Sequence, residues 1–417
     1  MNKPSEREAK STQKLMLFDL SVKGHHPIYI QHLIQYWHKQ SFSGQLNVVV
    51  SPRFFEEHRN VVDWAATHSP SQINFVGISP EEEAALNSRK SKIKRSLRNF
   101  QEWEIFGKYA EKLAATHALI MYFDTCEFPL ALGRPSPCSF SGIYFRPTFH
   151  YPQELTNYSP TQQERWQQWR EKLLLSRILR HPKLQNLFCL DPFAINHLNR
   201  FNTHVKAIHL PDPVELIEPE NSPCSLLREE LGIDPERNIF LLFGALTQRK
   251  GIYQLLDAIA RLSPELNQKI CLLLVGESNI ATSLDPKIAQ LCQDKPVQII
   301  RRYEFISDEE IPAYFNLADV VLAPYQRHVG MSGILLLAAA AAKPVLSSNY
   351  GLMGEMVKRY QLGLTVDSTM PSAIAEGLIR FLQEDSDKLC DRLQMRSFAQ
   401  QNSAQAFAEL ISKHILI

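Results

Sequence analysis

Two successive series of short apolar runs, each alternating with amphipathic stretches, dominate this chain of 417 residues. The first series opens with Lys14-Leu-Met-Leu-Phe-Asp-Leu20, and the second opens with Ile239–Phe243. Short apolar runs bounded by turn residues predict buried strands, and apolar residues three or four apart predict helices. Because strands that alternate with helices favour parallel sheets covered on both faces, the pattern predicts an α/β protein with two parallel sheets.

The further predicted strands of the first series are Leu46–Val50, Ile73–Val76, Ala118–Phe123, Gly142–Phe145 and Leu187–Cys189. Those of the second series are Ile270–Val275, Val297–Ile300, Val320–Leu322 and Val345–Ser347. The segment His209-Leu-Pro-Asp-Pro213 between the two series has the composition of a linker. We therefore expect domains over 1–213 and 214–390, with a C-terminal segment, 391–417, that returns to the first domain.

The net charge of +1 conceals opposite charges in the two halves. Residues 1–213 contain 26 Lys and Arg against 19 Asp and Glu, whereas 214–417 contain 19 against 25. The halves thus carry about +7 and −6. This asymmetry indicates different partners for the two domains and an anionic surface near the first.

Several classes of site lack their signatures. The chain has no G-x-G-x-x-G, no G-x-x-x-x-G-K-[ST] and no H-E-x-x-H, which argues against the usual dinucleotide, P-loop and zincin sites. The triplet Asp385-Ser-Asp387 lies in a charged region typical of a solvated face. No apolar run approaches the roughly 20 residues of a membrane span. Seven dispersed cysteines favour a reducing, cytoplasmic location.

Two cations follow the first strand of the second series. Arg249 and Lys250 lie in a loop between a strand and a helix, at the edge where open α/β sheets bind ligands. Arginine grips phosphate oxygens bidentately and lysine supplies a point charge, so the pair suits a diphosphate. A basic pair that simply flanks a helix in solvent is the alternative explanation.

A second anion site is predicted in the loop Gln326-Arg-His-Val-Gly-Met-Ser-Gly333, before the apolar run Ile334–Ala342. Gly330 and Gly333 permit close approach of the backbone, and the amides of Met331, Ser332 and Gly333 would be free at a helix N-terminus. Ser332 as an ordinary N-cap explains the serine but not the glycines.

These segments stand in an order that resembles a known family. Arg249-Lys250-Gly251, Leu273-Leu-Val-Gly276, Ile306 to Asp319, Val321-Leu-Ala-Pro324, Lys343-Pro-Val345 and Gly351-Leu-Met-Gly-Glu355 follow one another as in GT-B glycosyltransferases of family 4. Residues 206–366 resemble the nucleotide-sugar half of that fold. The first half resembles it through the turn Gly24-His25-His26.

The resemblance implies two Rossmann-like domains facing across a cleft. It implies transfer of a hexosyl group from a nucleotide sugar to a polysaccharide, lipid-linked or small-molecule acceptor, with retention of configuration and without a metal or other cofactor. By position, Arg249 and Lys250 would neutralise the departing diphosphate, and Met331 to Gly333 would bind its phosphates. No nucleic-acid partner is implied.

In the first half, the resemblance would bring Gly24 close to the donor and place His25 or His26 near the reacting sugar. Independently, Asp124 follows a predicted strand, where it would face the ligand edge of the sheet and orient the acceptor hydroxyl. A strand-end aspartate is equally often a helix N-cap.

One departure from the family concerns its two loop glutamates, which fall on Val329 and Leu337. A carboxylate that grips the sugar hydroxyls is therefore missing. The adjacent His328 could substitute as a hydrogen-bonding group, although a lone loop histidine is more often exposed. Glu355 matches a later family glutamate, and an acid near a helix N-terminus explains it equally well.

A basic amphipathic helix is predicted over Ser88 to Phe106. Its cations include Lys90, Lys92, Lys94, Arg95 and Arg98, while Ile93, Leu97, Phe100 and Trp103 recur at helical spacing. This pattern is typical of a helix that lies on anionic lipid, so we expect peripheral contact with the inner membrane face. The alternative is a solvated helix that packs its apolar stripe on its own domain.

The leading hypothesis is a glycosyltransferase. Its competitor is a catalytically silent GT-B protein that acts as a binding or scaffold partner, which the loss of the glutamates at Val329 and Leu337 favours. A third hypothesis is a sugar-nucleotide epimerase of the same architecture.

Overall fold

The computed structural model describes residues 13–86, 92–155, 157–215, 217 and 224–416, with the backbone alone for 92–96 and 224–225. The chain divides into two compact units. Unit 1 runs to His150, resumes over Pro160–Pro211 and includes the segment from Phe407 onward. Unit 2 comprises Tyr151–Ser159 and Asp212–Ala406.

The strands of unit 1 are β1 (Lys14–Asp19), β2 (Gln45–Val50), β3 (Ile73–Gly77), β4 (His117–Ile120), β5 (Ser139–Tyr144), β6 (Leu184–Cys189) and β7 (Lys206–His209). Those of unit 2 are β8 (Asn238–Phe243), β9 (Ile270–Val275), β10 (Gln298–Arg302), β11 (Val320–Ala323), β12 (Val345–Ser348) and β13 (Gly363–Val366).

The helices in chain order are α1 (His26–Gln40), α2 (Phe54–Glu57), α3 (Arg59–His68), α4 (Pro80–Leu86), α5 (Lys92–Lys112), α6 (Glu127–Ala131), α7 (Tyr151–Glu154), α8 (Gln162–Ile178), α9 (Ala194–Asn199), α10 (Cys224–Glu230), α11 (Ile252–Ala260), α12 (Pro264–Asn267), α13 (Ala281–Asp294), α14 (Ile311–Leu317), α15 (Ile334–Ala340), α16 (Gly351–Arg359), α17 (Pro371–Gln383), α18 (Arg392–Gln401) and α19 (Ala404–Ile415).

Unit 1 is built on a parallel sheet with the strand order β3-β2-β1-β4-β5-β6-β7. Successive residues of β1 point to opposite faces of the sheet, and apolar clusters cover both faces. Met16 lies in one apolar cluster with Phe106, and Leu17 lies in another with Ile30. The strand order reverses between β1 and β4, so the loops after these two strands flank the switch point of the sheet.

Unit 2 is built on a second parallel sheet with the order β10-β9-β8-β11-β12-β13. Every residue of β9, Ile270–Val275, is buried, which explains why this strand is continuously apolar. The order reverses between β8 and β11. The predicted α/β class with two parallel sheets is confirmed.

The structure differs from the sequence prediction in the bounds of several strands and in two strands that were not predicted. The predicted strand Ala118–Phe123 ends at Ile120, since Phe123–Thr125 forms a 3-10 turn. Strands β7 and β13 were not predicted, and β7 includes the first residue of the proposed linker, His209. Both strands have four residues and are partly exposed edges, so neither has a continuous apolar run.

The division between the units falls between Pro211 and Asp212, beside the predicted boundary at 213. The segment that packs with unit 1 begins at Phe407 rather than at 391. The reason is that α18 packs against α15 and so stays with unit 2. Tyr151–Ser159, assigned by prediction to the first domain, also belongs to unit 2.

The six cysteines with described side chains form no disulfide. Over the same described part of the chain, no helix combines the length and the apolar character required to cross a bilayer.

Candidate functional site

Two loops leave the sheet of unit 2 at its switch point, where open parallel sheets bind ligands. One loop, Gly244 to Gly251, follows β8, and the other, Pro324 to Gly333, follows β11. These are the two loops in which the sequence predicts anion-binding residues. The fold of unit 2 therefore places both predicted segments side by side.

Gly251 allows the two loops to touch. Its φ of +76° is left-handed, and a Cβ at this position would lie 2.1 Å from the carbonyl oxygen of Pro324. The amide of Gln326 donates to the carbonyl of Arg249 at 2.8 Å. The side-chain Nε2 of Gln326 also donates to Pro324 O at 2.9 Å and to Ser368 O at 2.7 Å. These hydrogen bonds thus fix the two loops relative to each other.

Lys250 is a buried cation at this junction, with 7% of its surface exposed. Its Nζ donates to Phe243 O at 2.6 Å and to Tyr325 Oη at 2.5 Å, and lies 4.6 Å from the centre of the Tyr325 ring. Among the described residues these are its two hydrogen-bond acceptors, which leaves one of three N–H groups for a ligand oxygen. Tyr325 Oη lies 3.3 Å from Ser332 Oγ.

Arg249 is an exposed cation beside Lys250. Its Nη1 donates to Nδ1 of His328 at 3.0 Å, and its Cζ lies 5.5 Å from the centre of the Tyr325 ring. Nε2 of His328 lies 3.2 Å from the carbonyl oxygen of Met331. Because Nδ1 accepts and Nε2 donates, these contacts require the neutral imidazole with its hydrogen on Nε2. His328 therefore orients Arg249.

We call this set the switch-point cluster; its members are Arg249, Lys250, Tyr325, His328 and Ser332. Of the residues predicted to bind a donor, His328, Met331 and Ser332 lie in or against it. Gly333 is the N-cap of the seven-residue α15. Glu355 lies on α16, where its Oε1 is 3.9 Å from Lys358 Nζ.

Val329, to which the resemblance assigns one family glutamate, packs against an apolar group. Its neighbours there are Tyr151, Leu155, Tyr158 and Tyr350, all from unit 2. The side chain of residue 329 is thus part of a small apolar core beside the switch-point cluster. We call this group the tyrosine cluster.

The backbone of Val329 is also fixed. Gly351 has a φ of +70°, and a Cβ there would lie 2.7 Å from Val329 Cα. The amide of Leu352 donates to Val329 O at 2.7 Å. Leu337, to which the resemblance assigns the second glutamate, is a partly buried residue of α15. The loop after β11 is therefore held against the start of α16.

In unit 1, the loop after β1 carries the predicted glycine and histidines. Gly24 has a φ of +73°. The ring of His25 stacks on Phe145 with centroids 4.8 Å apart. Although His25 is exposed in part, burial of its ring, its neighbour His26 and the charge of Arg146 lower its pKa to about 4. His25 is therefore a neutral aromatic group at neutral pH.

His26 and Asp124 make structural contacts at the same edge of unit 1. Nδ1 of His26 lies 2.7 Å from Asp19 Oδ2. The carboxylate of Asp124 accepts the amides of Phe145 at 2.9 Å and Arg146 at 3.0 Å. Burial raises the pKa of Asp124 to about 6, against the opposing effect of these amides. Asp124 thus holds the loop after β5.

A carboxyl network adjoining Asp124 was not predicted from the sequence. The hydroxyl of Tyr144 lies 3.0 Å from Glu127 Oε1 and 2.8 Å from Glu171 Oε1. The amide and hydroxyl of Thr148 also donate to Glu171. Burial, Asp124 and Glu171 raise the pKa of Glu127 to about 8. A protonated Glu127 can donate to Tyr144, which then donates to Glu171.

The predicted lipid-binding residues are described in part. Lys90 lies outside the described residues, and the structure describes the backbone alone for Lys92, Lys94 and Arg95, which belong to α5. Arg98 Nε lies 2.6 Å from Glu102 Oε1.

The apolar side of α5 has two environments. Trp103 is buried and stacks on Phe106, so this part of the stripe packs on its own unit. Leu97, nearer the start of the helix, is 58% exposed.

Among the residues that the structure describes, no three His, Cys, Asp or Glu side chains come close enough together to hold a metal ion.

Comparison with known proteins identifies the second half of the chain most directly. Residues 225–401 match the model of the family described as glycosyl transferases group 1. A D-inositol 3-phosphate glycosyltransferase of Corynebacterium jeikeium is 29% identical over 191 residues, which are 45% of each chain. An uncharacterized glycosyltransferase of Methanocaldococcus jannaschii is 27% identical over 157 residues, or 38% of this chain and 39% of the relative. The chain thus spans less than half the length of these two relatives.

Solved structures extend the likeness to the whole fold. Anabaena HepE in complex with UDP and glucose superposes with a TM-score of 0.64 at 15% identity, covering 96% of this chain and 98% of that one. Sucrose-phosphate synthase of Thermosynechococcus elongatus gives 0.66 at 17% identity, with coverage of 96% and 98%. Residues 225–401 thus resemble the glycosyl transferases group 1 family, and the two parallel-sheet units have the GT-B fold.

Proposed function

We propose that the protein is a hexosyltransferase that takes a sugar from a nucleoside diphosphate sugar and passes it to an acceptor bound by unit 1. The observation that carries this proposal is the switch-point cluster of unit 2. It presents a buried ammonium, an exposed guanidinium and a hydroxyl at the ligand-binding edge of the sheet. A diphosphate is the group that this set of donors fits best.

The chemistry asked of these residues is charge stabilisation. As the bond between the sugar and the diphosphate breaks, negative charge grows on the departing nucleotide. Lys250 is fixed by Phe243 and Tyr325 before the reaction, and Arg249 is fixed by His328. Preorganised cations lower the barrier because they need no reorientation at the moment of reaction. They also provide the charge for which other enzymes use a divalent ion, so we propose transfer without a required metal.

Retention of configuration is part of the proposal and rests on the family resemblance. The relatives support a nucleotide-sugar donor through their names, since HepE was solved with UDP and glucose and with UDP-glucose. Identifying the anomer by NMR in the first product formed would test retention directly.

Calorimetric titration with UDP, GDP and ADP tests donor binding. We expect one of them to bind, and we expect Arg249→Ala and Lys250→Ala each to weaken binding about tenfold or more, as for loss of a charged hydrogen bond. Arg261→Ala, at an exposed cation after α11, is the matched control and should bind as the native chain does. Absence of binding for all three nucleotides, or unchanged binding in both variants, would overturn the proposal.

The silent binding protein remains the second candidate, and one observation favours it. By the resemblance, Val329 stands where the family has a glutamate, and its side chain packs in the tyrosine cluster. Release of nucleoside diphosphate from any donor sugar, accelerated by an acceptor, would exclude this candidate. Binding of the nucleotide without any turnover would favour it.

A further inference from the structure

The outward face of α8 in unit 1 carries large apolar side chains. The buried residues of this helix are Gln168, Glu171, Leu175 and Ile178. On the opposite side, Trp166 is 58% exposed, Trp169 is 61% exposed and Leu173 is 43% exposed. At 100° per residue these three side chains fall on one stripe. A helix normally turns its polar side to water, so this helix departs from the usual arrangement.

Cations lie on the same stripe. Arg170 and Arg177 share the face with Trp166, and the Cζ of Arg170 lies 5.2 Å from the centre of its ring. Arg180 follows just after the helix ends at Ile178 and continues the stripe.

The acids of α8 are both engaged away from this stripe. Glu164 forms a capping box with Thr161, and Glu171 is buried against Tyr144 and Thr148. Every residue of α8 is described, and its outward face therefore has positive charge without an acidic side chain.

Neighbouring elements extend the exposed apolar surface. Helix α6 packs against α8, and Leu132 at its end is 66% exposed. A cavity of about 770 Å³ lies beside it, with Leu132, Arg177 and Arg180 among its lining residues. Helix α5, which packs on α6, also carries the exposed Leu97. Exposed apolar patches of this kind mark surfaces that bind a partner.

We propose that this α8 face docks onto an anionic lipid surface. Tryptophan favours the boundary between headgroups and acyl chains, which suits Trp166 and Trp169. Arginine side chains bind the phosphates of anionic headgroups, which suits the exposed Arg177 and Arg180. The positive, acid-free charge of the face selects an anionic bilayer over a neutral partner. The inference deepens the proposed function by naming the surface on which the enzyme would work, and it does not require sugar transfer.

The test is co-sedimentation of the full chain with vesicles of phosphatidylcholine, with and without phosphatidylglycerol. We expect binding only with phosphatidylglycerol, a blue shift of tryptophan fluorescence on binding, and release by salt. The double variants Trp166→Ser with Trp169→Ser, and Arg177→Gln with Arg180→Gln, should each weaken binding roughly tenfold or more. Phe305→Ser and Arg261→Gln are the matched controls in unit 2, where Phe305 is 74% exposed, and both should bind as the native chain does.

Three results would overturn the proposal. They are failure of the native chain to bind anionic vesicles at low salt, equal binding to neutral vesicles, and undiminished binding by both double variants. Light scattering would show whether the face joins two copies of the chain instead, since the tryptophan variant would then become monomeric. Nucleotide titration of the same variants separates this proposal from the proposed function. Retained nucleotide binding with lost vesicle binding supports the α8 face, because it shows that unit 2 is intact.

Discussion

Lys250 lies over the ring of Tyr325, with Nζ 4.6 Å from the ring centre and hydrogen-bonded to the phenol oxygen at 2.5 Å. Tyr325→Phe keeps the ring and removes the hydroxyl that orients the ammonium. We expect nucleoside diphosphate binding to weaken roughly tenfold, because a hydrogen bond to a charged group is lost.

A second lysine–tyrosine pair in unit 2 provides the control for that measurement. Lys287 Nζ lies 4.9 Å from the ring centre of Tyr253, and the Tyr253 hydroxyl bonds to Ser283 at 2.6 Å. Tyr253→Phe removes a hydroxyl beside a lysine outside the switch-point cluster. Calorimetry should find its nucleotide affinity unchanged, and an equal loss in both variants would contradict the role given to Tyr325.

His328 is expected to act through Arg249. His328→Ala removes the acceptor for Arg249 Nη1, and nucleotide binding should weaken about fivefold, as expected for loss of an orienting hydrogen bond. In the double variant with Arg249→Ala, the histidine change should cause little further loss, since coupled residues are not additive. Additive effects in this double-mutant cycle would show that His328 binds independently.

Gly251→Ala should destabilise the protein and abolish nucleotide binding together. Its Cβ would meet Pro324 O at 2.1 Å, which would force apart the two loops that form the switch-point cluster. Gly232 provides the control, because its φ of +64° carries the same backbone strain and its Cβ would meet nothing within 4 Å. We expect Gly232→Ala to lose about 1–2 kcal/mol and to bind normally. A Tm for Gly251→Ala no lower than that of Gly232→Ala would refute the close-approach argument.

Stability should fall as pH rises through the titration of Glu127. Its pKa is raised from 4.5 to about 8 by burial, with Asp124 and Glu171 adding to the effect. The folded protein therefore binds this proton more tightly than the unfolded chain, and the stabilisation present below pH 4.5 is lost as pH rises through 8. Glu127→Gln keeps a hydrogen-bonding group for Tyr144 without a titratable proton.

Thermal unfolding as a function of pH measures this effect. Above pH 8 we expect a higher Tm for Glu127→Gln than for the native chain, and near pH 5 we expect similar values. The exposed Glu154→Gln, on α7, should leave the pH profile unchanged. Parallel profiles for the native chain and Glu127→Gln would exclude Glu127 as the titrating group.

The two sheets were predictable because buried parallel strands are continuously apolar. Strand β9, Ile270–Val275, is buried at every position and was predicted with its observed bounds. Strands β7 and β13 escaped prediction because edge strands of four residues are partly solvated and need no apolar run.

At the candidate site, the rule that ligands bind at strand ends located Arg249, Lys250 and the loop containing His328. The same rule applies to Tyr325, which follows β11, but a tyrosine at this position is equally typical of an apolar residue in the core. Its role depends on the approach of two loops that are 75 residues apart in sequence, counted between Lys250 and Tyr325. Such contacts arise from tertiary structure and have no local signal.

Helix α8 shows a different limit of prediction. Tryptophans in a helix usually mark the buried side, yet Trp166 and Trp169 face solvent while Gln168 and Glu171 are buried. A prediction that buries the more hydrophobic side of a helix would therefore exchange the buried and exposed sides of α8. The carboxyl of Glu171 is accommodated because Tyr144 and Thr148 satisfy it.

The packing of Val329 limits which side chains this loop can hold. A glutamate placed at the partly buried position 329 would bring a carboxylate against Tyr151, Leu155 and Tyr158, where loss of water is unfavourable for a charge. We therefore expect Val329→Glu alone to lower the Tm of the protein. The loop after β11 thus makes an apolar contact at a position where an acid would need a polar one.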